Sequence, residues 1–321
     1  MTTRSDTLTA PATRTPRAAD AGDIASRVLG LLLPYHRTTE PGPPDPGAHP
    51  RQLRQIRRFT DAGLPVLFTL PGFPCKSPNP AKVLGHLPDE GERLSLGFLD
   101  RLCARVGEIY APGARMLICS DGHIFGDLIG VPDAHIDAYG DGLRALIRDE
   151  GLRHLETFDM RHVHGDADYD TKRALVTEAY APSPDALRAL VRGDEETARL
   201  YRGITRFLVE DTAGFTGTRS ALQRECRRRA YGVIARSRAW GDLIAHCHPH
   251  SVRLSIHPQR PGAAKFGIRL LESADAWATP WHTAVLRDAG GAARLVRRAD
   301  AEKLGRLVLR DGRPSHFEAP R

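Results

Sequence analysis

The stretch that most restricts how this chain folds is a short apolar run, Val66-Leu67-Phe68-Thr69-Leu70, followed at once by Pro71-Gly72-Phe73-Pro74-Cys75-Lys76-Ser77-Pro78-Asn79-Pro80. Apolar, brief and bounded by prolines, the run reads as a buried strand. The prolines behind it fix φ and remove N–H donors, so the following segment can neither extend a sheet nor start a helix early. A rigid, polar, cationic loop at the carboxyl end of a buried strand is where open α/β sheets place ligands. The alternative is a surface connector with solvated lysines.

The chain then alternates. Residues 92–110 carry Leu99, Leu102, Val106, Ile109 and Tyr110 at helical spacing, and Pro112-Gly113 ends the run. A second strand is expected at 115–119, a helix at 134–149 and a third strand at 154–158. This order predicts right-handed crossovers and an α/β class: a Rossmann-like, mostly parallel sheet with flanking helices and a C-terminal β-rich portion. Residues 1–50 read as an extension, disordered over the first 20, with a short helix at 24–33 and a Pro/Gly-rich linker at 38–50. Residues 51–321 read as a single catalytic domain opening on a helix at 53–62. It contains a helical insert at about 172–245 and a β-rich segment at about 250–310. Short segments at 251–257, 265–271, 281–286, 293–297 and 305–309 are expected as antiparallel strands, completing the sheet or forming an appended subdomain.

Bulk properties exclude several classes. No apolar run approaches the roughly 20 residues of a membrane helix, and the N-terminus lacks the apolar core of a secretory signal. Five cysteines without a Cys-x-x-Cys pair argue for reduced thiols in a cytoplasmic protein, against a disulfide frame and against structural zinc. The net charge of +7 suits nucleic acid or an anionic small molecule equally. The densest basic run, Arg224 to Arg229, lies in an expected helix without interleaved aromatics, so it reads as a solvated face rather than a base-stacking surface.

Two further clusters carry chemistry. Ser120-Asp121-Gly122-His123 follows the second expected strand; Asp121 suits a base or an amine-orienting group, although Ser-Asp-Gly also makes a tight turn unaided. Loops after successive parallel strands open on one side, so Lys76, Ser77, Ser120 and Asp121 are expected to face one crevice. In the third cluster, Ser251, Arg253, Ser255 and His257 share one face of an extended segment while Val252, Leu254 and Ile256 face the core. A guanidinium, hydroxyls and an imidazole suit a phosphate with a proton transfer beside it. Alternating His246, His248 and His250 raise a metal alternative; Pro249 and the lack of a following carboxylate oppose it. Lys265 and the pair Trp281-His282 come next, with Trp281 read as core or pocket wall.

Taken together, these clusters resemble the pyoverdine/dityrosine biosynthesis family, whose bacterial members are isocyanide (isonitrile) synthases. The matching strings are Phe73-Pro74-Cys75-Lys76-Ser77-Pro78-Asn79, Lys82-Val83-Leu84-Gly85, Leu87-Pro88-Asp89, Tyr110-Ala111-Pro112-Gly113-Ala114 and Ser120-Asp121-Gly122. Tyr201-Arg202-Gly203, Arg206-Phe207-Leu208, Arg253-Leu254-Ser255-Ile256-His257-Pro258 and Pro280-Trp281-His282 complete the set, in family order over roughly residues 53–286. The resemblance implies an enzyme joining an aromatic L-amino acid (Tyr or Trp) to ribulose 5-phosphate, whose ketone carbon becomes the isocyanide carbon. It implies no metal or nucleotide cofactor, with the phosphosugar as cosubstrate. Partners would be these two small molecules and enzymes downstream in a specialised-metabolite pathway, not nucleic acid or membrane. Under it, Lys76, Asp121 and His257 are catalytic candidates. Ser77, Ser120, His123, Arg253, Ser255, Lys265, Trp281 and His282 are substrate-binding candidates. Two departures stand out: His123 where the family usually has Arg, and His248-Pro249-His250-Ser251 where it more often has Phe-Pro. They leave open the amino acid and an alternative, a related phosphosugar–amine condensing enzyme or lyase. A nucleic-acid-binding regulator using the Arg224–Arg238 helix is the distant alternative.

Overall fold

The computed structural model describes residues 18–320 apart from 39, 41, 43, 44, 213, 214 and 276, with side chains from residue 24 onward. Of the twenty residues expected to be disordered, 1–17 lie outside this range and 18–20 open the first helix.

Helix α1 (Ala18–Leu32) and helix α2 (Pro50–Asp61) precede strand β1 (Val66–Pro71). Ala25, Val28, Leu29 and Leu32 are fully buried, so the helical part of residues 1–50 shares the core of the main body. Helix α3 (Glu90–Ile109) starts at a capping box: Asp89 accepts from Gly91 N and Glu92 accepts from Asp89 N, both at 2.9 Å. Strand β2 (Ala114–Cys119), helices α4 (Gly122–Ile129) and α5 (Asp133–Asp149), and strand β3 (Leu155–Phe158) follow. The helical stretch comprises α6 (Arg161–His164), α7 (Tyr169–Tyr180), α8 (Pro184–Gly193), α9 (Glu195–Asp211) and the long α10 (Arg219–Cys247). Strands β4 (Val252–Ser255) and β5 (Phe266–Gly267) then return to the sheet.

The main sheet has order β3-β2-β1-β4-β5, with every neighbouring pair parallel. The segments at 251–257 and 265–271 are therefore parallel continuations of the sheet, not antiparallel strands. Chain order runs outward from β1 to β3, crosses through the helical stretch, and resumes at β4 on the other side of β1. The crevice at the carboxyl ends of β1 and β4 is thus a topological switch point, the usual ligand position in such sheets. Helices α1, α2, α3 and α5 bury one face. On the other, Leu117, Cys119 and Phe158 pack against Trp240, Leu243 and Ile244 of α10.

A second, mixed sheet of order β6-β8-β7-β10-β9 closes the chain: β6 (Glu272–Ser273), β7 (Ala284–Arg287), β8 (Ala293–Val296), β9 (Arg306–Arg310) and β10 (Arg313–Glu318), with helix α11 (Arg298–Leu304) between β8 and β9. Its β7–β8 and β9–β10 pairs are antiparallel, while β7–β10 and β6–β8 are parallel. The expected strand at 281–286 begins instead as a 3-10 turn, Pro280–His282.

Candidate active site

The loop after β1 and the start of α4 fit together only because Gly122 lacks a side chain: a Cβ there would sit 2.1 Å from the Pro74 carbonyl oxygen. The cluster read as a possible tight turn is thus the first turn of a helix. Asp121 occupies its N-cap position yet makes no side-chain cap bond, which leaves the carboxylate free for other work.

A cleft of about 880 Å³ opens beside β4 and the segment that leads into β5, walled by α10 and the N-terminal turn of α9. Arg253, Ser255, His257 and Lys265 line it, together with Arg199, Arg238, Arg260, Asp242 and Trp277. Arg253 donates to the Gly241 carbonyl at 2.8 Å. A Cβ on Gly241 would lie 3.3 Å from Arg253 Nη2 and 3.7 Å from Lys265 Nζ, so the bare helix surface lets both cations reach one point. Among the described residues, none of Arg199, Arg238, Arg253, Arg260 and Lys265 forms a salt bridge. About half of the other described lysines and arginines do. Glu40, Asp194, Glu195, Glu196 and Asp242 also line the cleft, so its positive charge is local: Arg253 and Lys265 converge over Gly241, and two cations without salt bridges in a concave, partly desolvated place suit an anion.

The titratable groups are strongly perturbed. Burial first, then the Arg253 charge, pushes the Lys265 ammonium down to about 8, against the opposing pull of Asp242 and Asp121. Burial pushes the Asp121 carboxyl up to about 7, with Lys265 pulling the other way. Its buried Oδ1 has no hydrogen-bond partner. His257 is pushed down to about 3 by burial and by Arg37, Lys265 and His282, so it is neutral at ordinary pH. The Ser255 hydroxyl oxygen accepts from His257 N at 3.1 Å, which leaves its proton for a ligand.

The other expected residues are placed differently. Lys76 is not brought to the cleft. Its ammonium is wholly buried against Asp89 at 2.8 Å and Glu92 at 2.7 Å, and it donates to the Pro280 carbonyl at 3.1 Å. Three acceptors for three protons fill its donor capacity. His123 also points elsewhere: it stacks on Tyr169 at 3.6 Å between ring centroids, and its nitrogens meet Asp133 at 2.9 Å and Asp137 at 3.1 Å. The first turn of α4 aims it at α5 rather than at the sheet ends. Ser120 donates to the Phe73 carbonyl and Ser77 Oγ accepts from Asn79 N, so both hydroxyls serve the proline-rich loop. Trp281 is core, packed on Phe73 at 5.0 Å. Phe73 itself holds a φ of 54°, an uncommon conformation for a bulky residue, in this same loop. His282 stacks on Phe207, pairs with Thr279 Oγ1 at 3.0 Å, and is pushed down to about 4 chiefly by burial.

The alternating histidines do not share a strand. His246 lies in the last turn of α10, edge-on to Tyr180, and His248 packs edge-on to Phe158. Among the described residues no group of three or more His, Cys, Asp or Glu could hold a metal ion, and no helix is long and apolar enough to cross a membrane. The basic run of α10 is divided: Arg224, Arg227 and Arg228 are exposed, as expected of a solvated face, with Arg228 paired to Glu225, while Arg229 donates to the Leu128 carbonyl and Arg236 pairs with Asp127. Sequence reasoning missed Arg199, Arg238, Arg260, Asp242 and Trp277. A signal existed for two of them: Arg238, Gly241 and Asp242 stand at i, i+3 and i+4, one face of a helix.

The model of the pyoverdine/dityrosine biosynthesis protein family matches residues 56–308. The chain belongs to that family. An L-tyrosine isonitrile synthase from Pseudomonas aeruginosa is 46% identical over 275 residues, covering 84% of either chain. Another from Xenorhabdus nematophila is 41% identical, over 93% of this chain and 92% of its own. The L-tryptophan isonitrile synthase AmbI2 of Fischerella ambigua is also 41% identical, over 83% and 81%. The crystal structure of the PvcA protein from Pseudomonas aeruginosa superposes with a TM-score of 0.86 at 42% identity, covering 92% of this chain and 99% of that one. This family member is accordingly an enzyme of the isonitrile synthase type.

Proposed function

We propose that the enzyme converts the α-amine of an aromatic L-amino acid, tyrosine or tryptophan, into an isonitrile, with ribulose 5-phosphate as carbon donor. The observation that carries this reading is the set of cleft cations free of salt bridges. A phosphorylated ketose brings two negative charges that such a set would neutralise, and its carbonyl requires proton transfers; Asp121, not itself in the cleft lining but within electrostatic reach of Lys265, is tuned to make them near neutral pH. Condensation of an amine with the ketone releases water and needs an acid to protonate the departing hydroxyl. Neutral His257 and the Ser255 hydroxyl supply hydrogen bonds to the sugar without adding charge. The relatives named for tyrosine and for tryptophan support an aromatic substrate and leave the choice between them to assay.

The test is incubation of purified enzyme with L-tyrosine or L-tryptophan and ribulose 5-phosphate, with products followed by mass spectrometry and by the isonitrile infrared stretch. Sugar labelled at the ketone carbon should deliver its label to the isonitrile carbon. Folded enzyme that yields no isonitrile from ribulose 5-phosphate with either amino acid overturns the proposal.

A further inference from the structure

The chain contains only five lysines, and the structure accounts for four. Lys76 is held by Asp89 and Glu92, Lys82 by Asp211 at 2.5 Å and Glu210 at 3.0 Å, and Lys303 by Asp300 at 3.3 Å. The Lys172 ammonium lies over the Tyr169 ring, 4.9 Å from its centroid. Lys265 alone has no hydrogen bond, salt bridge or ring contact for its ammonium among the described residues, yet it is the one that enters the cleft. It stands beside the Arg253 guanidinium over Gly241, with the unpartnered Oδ1 of Asp121 within electrostatic reach.

We propose that Lys265 is the reactive amine of the cleft, condensing with the keto group of the sugar phosphate before the amino acid does. This rests on the ketose phosphate reading given above. A lysine meant only to bind phosphate gains from a high proton affinity. This one is desolvated and set against another cation, the arrangement that frees an amine for nucleophilic attack near neutral pH. Arg253 remains to bind the phosphate, with Arg199, Arg238 and Arg260 in the same cleft.

The step balances without oxidant or reductant. The neutral Lys265 nitrogen adds to the keto carbon, and the resulting carbinolamine loses its hydroxyl as water with a proton from Asp121, giving a protonated imine. The amino-acid amine then adds to the same carbon and expels the Lys265 amine, which regenerates the lysine and leaves the amino acid joined to the sugar. One water is released, as in direct condensation. The gain is kinetic, because a protonated imine is a better electrophile than a ketone.

The experiment is reductive trapping. Wild-type enzyme is incubated with ribulose 5-phosphate and cyanoborohydride, its mass is measured, and peptides covering all five lysines are mapped. The expected result is one adduct, at Lys265, well above any at exposed Lys303. Lys265→Arg keeps the charge but cannot form the imine. It should bind ribulose 5-phosphate within a few-fold of wild type, form no adduct, and make isonitrile about 100-fold more slowly or worse. A wild type that makes isonitrile from ribulose 5-phosphate but gives no Lys265 adduct, or a Lys265→Arg enzyme of wild-type rate, refutes the lysine and leaves the sugar reading standing. A wild type that makes no isonitrile from that sugar refutes both.

Discussion

Replacing Lys76 with methionine distinguishes a structural lysine from a reactive one. The side chain and its two carboxylate partners are almost completely buried, with exposures of 0%, 3% and 0% for Lys76, Asp89 and Glu92. Methionine fills nearly the same volume, so loss of the charge is the main change. Breaking a buried ion pair on one side costs about 3–5 kcal/mol, because an uncompensated charge stays behind. In a chain of this size that lowers the melting temperature by roughly 6–15 °C. The deficit should also depend on pH. Asp89 is already pushed up to about 7 by burial, even with Lys76 pulling it down. Without the lysine it rises further and folds in its protonated form. A carboxyl with a raised folded-state pKa holds a proton that the unfolded chain has released, so stability is greatest at low pH and falls as pH rises. Above pH 7 the wild-type Asp89 no longer holds that proton, and the gap between the proteins should widen by about 1.4 kcal/mol per pH unit. Thermal unfolding followed by circular dichroism at pH 6, 7 and 8 measures this directly. A Lys76→Met protein that melts within about 2 °C of wild type at every pH, yet makes no isonitrile, would refute the argument and return Lys76 to the chemistry.

Three other outcomes follow from the cleft. Arg253→Gln should lower kcat/KM for the sugar phosphate by about 10- to 150-fold, the equivalent of one charge-assisted hydrogen bond of about 1.5–3 kcal/mol, with the loss expressed mainly in KM; an unchanged KM for the sugar removes Arg253 from phosphate binding. Gly241→Val puts carbon where Arg253 and Lys265 converge, so the KM for ribulose 5-phosphate should rise at least about tenfold while the melting temperature holds, and unaltered sugar kinetics would contradict the geometry. If protonated Asp121 and neutral Lys265 act together, kcat/KM should peak between pH 7 and 8, falling on the acid side as Lys265 takes up a proton and on the alkaline side as Asp121 loses one; a profile flat from pH 6 to 9 would sink the pairing.

The parallel half of the fold was readable because each element announces itself locally. The apolar strands at β1 and β2, the helical spacing of Leu99, Leu102 and Val106, and the Pro112-Gly113 stop all have local causes. Helix α4 was harder, because its first turn is a Ser-Asp-Gly sequence that suits a turn equally well; the contact that decides it, between Gly122 and the Pro74 carbonyl, spans almost fifty residues. The direction of β4 and β5 was hidden for a similar reason. Strands of four and two residues do not reveal whether they join a parallel or an antiparallel neighbour. For the site, simple alternation along β4 and just past it places Arg253, Ser255 and His257 on one face, and all three line the cleft. Lys76 was drawn elsewhere by a feature the sequence does display, the Asp89/Glu92 capping box, whose carboxylates do double duty as its counterions. Arg199 and Arg260 left no local trace: the packing of α9 against α10 brings the first to the cavity, and the loop between β4 and β5 brings the second.

The crossover that separates β3 from β4 has a consequence for the life of the newly made protein. Asp121 ends the strand on one flank of β1, whereas Arg253 and Lys265 arrive with those on the other, more than 130 residues later in synthesis. Until α10 docks, no nascent intermediate holds an activated amine beside an acid. A nucleophile that would be prone to glycation by any passing sugar is thereby armed only in the finished molecule.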